Sequence, residues 1–265
     1  MVSFGGIAVG VVVAGAALTA ALLVLEGPDV DHGTVMGAGP WMVVAGLLHV
    51  LGTAGNYPQA FRPSVALPVS VLLVFLLGTV VWIIARQFAV VRNIAPRSGR
   101  YLAASGTGAV AVVFAVLLVL AAPTPDELLW LVTTPVAAAV VAAVGVLSLG
   151  IMDPTGLART RWVGWLVTFG FTALGTTITV GIDVFGRPTT AATRPFVAVG
   201  ASLPTADVAV AWPLAFVACL LGILMVSAVA RVIEEDTSAG LVVAVTLAAG
   251  TLTPAVALLA TVTLR

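Results

Sequence analysis

Long apolar runs separated by short polar breaks organise the chain. Continuous runs of about 20 residues recur near 5–25, 38–55, 65–85, 101–122, 128–150, 162–183, 208–231 and 238–262. A helix rising about 1.5 Å per residue crosses a hydrocarbon core of about 30 Å in such a run. The runs lack the alternation of short barrel strands, and only helices and closed barrels satisfy their backbone in lipid. The pattern predicts an all-α polytopic transmembrane helix bundle of about eight spans, forming a single integral membrane domain over 1–265.

Composition agrees. Apolar residues make up 61% of the 265 positions and charged residues 8%, with a mean hydropathy of +1.20. That is more apolar surface than one soluble core encloses. The first run has no basic leader, and its "AGAALTA" stretch lies inside an apolar run reaching Leu25, so it reads as a retained span and not a cleaved signal. The bilayer is the expected main partner; no nucleic acid is expected.

Charge sets the orientation. Lysine is absent, and arginines 86, 92, 97, 100, 159, 161 and 231 share one side, against 62, 187, 194 and 265 on the other. Counted as 7 against 4, the bias predicts a multi-pass cell-membrane protein with both termini outside. The tryptophans Trp41, Trp82, Trp130, Trp162, Trp165 and Trp212 fall near predicted span ends, where an indole is half wet. The stretch "RQFAVVRNIAPRSGR" is either a short interfacial helix or an ordinary basic loop. Acidic tips such as "EGPDVDH" and "EEDT", with no lysine and abundant Ala, Val and Gly, suit a salt-loving organism with a GC-rich genome.

Small residues such as those of "GAGPWMVVAG" serve helix packing, Pro135, Pro213 and Pro254 fall in or at the start of spans, and Cys219 is a lone apolar-like thiol. The polar residues inside spans carry the candidate chemistry, because each is costly in hydrocarbon. His49, Thr53 and Asn56 lie on one face of the second span, next to Tyr57 at its end. Thr172, Thr176, Thr179 and Asp183 lie on one face of the sixth, and Asp207 opens the seventh. Both stripes run toward the predicted outer surface and outline a polar pocket between the second, sixth and seventh spans. Helix packing is the competing reading, since an intramembrane threonine often bonds its own i−4 carbonyl.

The chemistry on offer is sparse. There is no metal-ligand spacing, phosphate loop, dinucleotide fingerprint or nucleophile elbow, and without lysine there is no Schiff-base site for retinal. No cofactor or metal is expected, and no catalytic residue is assigned. General acid/base work by His49 with Asp183 would need a contact that sequence does not display.

The stretches "HVLGTAGNYP", "TTITVGIDVFG" and "TLTPAVALL", in that order, resemble the archaeal integral membrane family called "domain of unknown function 63". The resemblance covers spans two to eight. It implies an Arg near His49, an Asp at Thr53, a His and an Asp at Phe171 and Leu174, a Lys near Ala215, and an Arg-Asp pair near Ala257 and Leu258 in typical members. Here those ionisable residues are replaced, while Asn56, Tyr57, Pro58, His49 and Asp183 persist. The resemblance thus implies a degenerate member, and the family brings no established activity. Three functions follow as expectations. The favoured one is a non-catalytic module binding a lipid-like or small ligand, or a partner membrane protein, through the outer pocket. The others are an intramembrane enzyme on a lipid or isoprenoid and a secondary transporter, both of which normally need more ionisable residues within the spans.

Overall fold

The computed structural model describes residues 32–53, 69–91 and 98–264, and all regular structure in them is helical. In chain order the helices are α1 (His32–Thr53), α2 (Val69–Val91), α3 (Ser98–Ala121), α4 (Pro125–Met152), α5 (Pro154–Thr160), α6 (Trp162–Asp183), α7 (Arg194–Ala201), α8 (Trp212–Glu235) and α9 (Thr237–Thr263). Seven of them, all but α5 and α7, are long and apolar enough to cross a membrane. The protein is a polytopic helical membrane protein. Seven of the eight expected spans are these helices; the run near 5–25 lies outside the described residues.

The chain forms two compact units, residues 1–120 and 121–265. In the first, α1 packs against α2. Its meeting with α3 is made possible by glycine: a Cβ on Gly37 would stand 3.2 Å from the Leu102 Cβ and press harder still on the Gly99 carbonyl. The Trp41 ring lies over Gly106, where a Cβ would come within 2.8 Å of its Cδ1, and its indole N–H donates to the Leu102 carbonyl at 3.0 Å. Because α1 begins at His32, Trp41 is about two and a half turns inside the helix and not at the expected boundary. Val44, Ala45 and Val74 are buried beside it.

In the second unit α6 is the central helix, packed against α4, α8 and α9. Its crossing with α8 is close because the facing residues are small. A Cβ on Gly175 would lie 2.5 Å from the Ala218 Cβ and 2.9 Å from the Leu214 carbonyl, and one on Gly222 would lie 3.0 Å from the Thr168 Cα. Without a hydrophobic push between helices in lipid, such backbone approach is what supplies dispersion contact. The lone Cys219 fits the same logic: it is buried opposite Gly145, with its thiol 3.7 Å from the Val141 carbonyl.

The outward side of α4 is the converse. Val132, Val136, Val140 and Val144 repeat every four residues and are all exposed, the side a membrane helix gives to acyl chains. Thr133 and Ser148 also lie exposed on α4, and their hydroxyls bond the carbonyls of Leu129 and Val144 at 2.8 and 2.9 Å. No polar atom there is left to lipid. Helix ends are chemically marked. Thr124 and Glu127 form a reciprocal capping box before Pro125 at the start of α4, and Asp236, the one residue between α8 and α9, accepts the Ala239 N–H at 3.0 Å.

Candidate functional site

The end of α6 is where the second polar stripe becomes structure. Thr168 and Thr172 are fully buried, and their hydroxyls turn back to the carbonyls of Gly164 and Thr168 at 2.9 and 2.8 Å. This is the self-satisfying threonine geometry that competes with a ligand site. Thr179 goes one step further. Its hydroxyl is shared between Gly175 of its own helix and Ala211 before α8, each carbonyl at 3.0 Å.

One turn on, Asp183 takes the other half of the same peptide region. Its Oδ1 accepts the N–H groups of Val210 at 3.2 Å and Ala211 at 3.1 Å, and its Oδ2 also lies 3.1 Å from the Ala211 nitrogen. Ala211 is the N-cap of α8 and has no side chain able to cap; the carboxylate of the neighbouring helix takes its N–H and that of Val210, just ahead of the first turn. The i, i+4 pair Thr179 and Asp183 therefore grips both backbone groups of Ala211. Pro213, in the first turn of α8, brings no N–H that would need a partner.

The chain leaves α6 by a turn that needs glycine. Gly186, at φ 61°, occupies the left-handed region and lets the Arg187 N–H return to the Gly181 carbonyl at 2.9 Å. Sequence spacing had no means of showing this anchorage, although the "GIDVFG" ending carries its signal in a glycine three residues past the aspartate.

Among the stripe residues Thr176 is different. It is buried, and its hydroxyl has no hydrogen-bond partner. A buried hydroxyl left so costs about 1–3 kcal/mol. Asp207 does not open a span: α8 begins at Trp212, and Asp207 is exposed on the turns before it. The Asp183 hold on residues 210 and 211 and Pro213 fix the helix start later than the apolar run suggests.

The first stripe lies in the other unit. His49 is half-buried near the end of α1, and Thr53 is exposed with its hydroxyl bonded to the Val50 carbonyl at 3.0 Å. Asn56 and Tyr57, with the expected turn at Pro58, lie outside the described residues. No group of three or more His, Cys, Asp or Glu among the described residues is arranged to hold a metal ion. Comparison of the chain with family models, with curated proteins and with solved structures gave no match in any of the three.

Proposed function

We propose that the protein is a non-catalytic membrane module that holds a lipid-like or small ligand, or a partner membrane protein, in a polar pocket on the outer side, with both chain ends outside. One observation carries the reading: Asp183, the carboxylate best placed for chemistry in α6, is engaged by the Val210 and Ala211 N–H groups, with Thr179 held on the same residue. A group so engaged is a fastening, while a general base needs its oxygens free toward a substrate proton. The Thr176 hydroxyl, buried without a partner, is the group left for a ligand to satisfy. The relation to the "domain of unknown function 63" family belongs to the same proposal and rests on the sequence stretches alone.

The test is Thr176→Val in protein purified in native membrane discs, with mass spectrometry of retained lipids and partner proteins. The exchange removes one hydroxyl at nearly constant shape. A ligand held there is lost from the variant and present in the parent, at unchanged or slightly raised thermal stability. Equal retention in both would end the pocket reading, and abolition of a measurable turnover by Asp183→Asn at intact stability would put an intramembrane enzyme in its place.

A further inference from the structure

The connection between α6 and α8 folds into a short helix and a run of turns, and its apolar residues point to a surface. α7 is pinned at its end: Gly200 is buried, and a Cβ there would collide with the Val210 carbonyl and come within 3.3 Å of the Pro213 Cδ. The following turns are tied to α8 by the Trp212 indole N–H, which donates to the Thr205 hydroxyl at 2.9 Å. The element thus sits at the level where α8 begins. It nonetheless exposes Val199 and Val208, the latter at 89%.

Single exposed apolar residues mean little by themselves. Here they adjoin a face with a defined neighbour. Trp212, Phe216, Leu220 and Leu224 repeat every four residues along α8 and are all exposed, which is the lipid-facing side of a spanning helix. Trp212 ends that stripe and is the residue bonded to the turn at Thr205. The turns carry backbone groups outside any helix, so they do not sink into hydrocarbon. The depth that suits both a wet backbone and Val199, Val208 and Trp212 is the headgroup boundary.

We infer that α7 and the turns to residue 211 lie in the membrane interface as an in-plane anchor, with Val199 and Val208 immersed about 5–10 Å into the headgroup and acyl boundary. The partner is the lipid surface itself. The anchor stands on the spanning helices and not on the ligand reading, so either survives failure of the other. It also holds the segment that Asp183 grips, making the start of α8 a point fixed from the helix side and from the lipid side.

Collision accessibility of a nitroxide tests it. The full chain carrying Cys219→Ser receives a single cysteine at Val199 or Val208, with Asp126→Cys as the wet reference and Val140→Cys as the acyl reference, in phosphatidylcholine vesicles. At 199 and 208 the ratio of oxygen to nickel-chelate collisions is expected to exceed that at 126 and fall short of that at 140. A ratio at both sites equal to that at 126 places the element in water and overturns the inference. Access by neither reagent means that protein covers the surface, and overturns it equally. The two labelling sites are on exposed side chains and independent, so failure of one labelled protein to fold leaves the other to decide.

Discussion

α1 and α6 invite comparison because they are alike in bulk and unlike in where they are held. Each has 22 residues, and in each 61% of the spanning window is buried, the highest share among the seven candidate spans. α1 is fastened near its beginning, where Gly37 faces Gly99 and Trp41 bonds the Leu102 carbonyl; its polar residues His49 and Thr53 come at the other end, half-buried and exposed. α6 is fastened along its length by Gly164, Gly170 and Gly175, each tight against a neighbour, and its polar residues reinforce the last turn through Ala211. Equal burial therefore hides different duties. In α6 polarity is spent on joining helices, and in α1 the polar residues lie at the end away from the Gly37 and Trp41 contacts.

The sharpest way to break this contrast is at the glycines. Gly175→Leu places a branched side chain where even a Cβ meets the Ala218 Cβ and the Leu214 carbonyl, so the α6 and α8 backbones must separate. Overpacking of this kind costs about 3 kcal/mol or more, and the variant is expected to lose its monodisperse peak in size-exclusion chromatography in mild detergent. A folded, monodisperse Gly175→Leu protein would mean that the crossing is looser than described.

Next come the polar ends. Asp183→Ala leaves the Val210 and Ala211 N–H groups without their acceptor and is expected to cost about 2–3 kcal/mol in reversible unfolding. Asp183→Asn keeps an acceptor oxygen and is expected to cost about 1 kcal/mol or less. His49→Ala in α1 should cost about 1 kcal/mol, the usual scale of one intramembrane hydrogen bond. If His49→Ala proved costlier than Asp183→Ala, the division of duties between the two helices would be reversed.

How much of this was legible beforehand follows from the same contrast. The spans were legible because lipid demands about 20 apolar residues in helical form. Their ends moved for identifiable reasons. α1 starts at His32 and not near 38 because its weakly apolar, glycine-rich first turns pack on α3. α2 runs past Arg86 to Val91, since that guanidinium lies 5.4 Å from the Trp82 ring centre and does not stop the helix. α8 continues beyond Arg231 through Glu234, which pairs with Arg159. Spacing also showed that Thr172, Thr176, Thr179 and Asp183 share a face. It did not show what faces them, because the partners of Thr172, Thr179 and Asp183 are backbone groups of residues 168, 175, 210 and 211, and a backbone carbonyl or N–H has no signature in a sequence.

The α5 helix, just before α6, offers a counter-case to the finish of α6, with smaller expected effects. Arg159 on α5 forms a two-pronged bridge to Glu234 on α8, at 2.6 and 2.7 Å, with both side chains largely exposed. Here charge joins helices in water, where such a pair contributes about 0.2–1 kcal/mol. Arg159→Gln is expected to lower the midpoint of thermal unfolding slightly, with the difference shrinking as salt is raised. A loss comparable to that of Asp183→Ala would show that the exposed bridge between α5 and α8 holds as strongly as the carboxylate at the end of α6.

Asp153 supplies the smallest and most specific effect, because it is read through pH. It caps α5 by accepting the Gly156 N–H at 2.9 Å and the Thr155 hydroxyl at 3.0 Å. The Gly156 hydrogen bond above all, then that of Thr155, holds its carboxyl below the ordinary aspartate value of 3.8, with Arg159 and Arg231 adding attraction. A folded-state value lower than the unfolded one means that the folded protein binds the proton less readily. The stabilisation is therefore complete above the ordinary value and is lost as pH falls through the depressed one. Asp153→Asn should then unfold slightly earlier than the parent at about pH 7, with the difference shrinking as pH falls through the parent's depressed value. A difference that stayed constant as pH fell would assign the cap to shape and hydrogen bonding alone, and would remove charge from the list of what fastens α5.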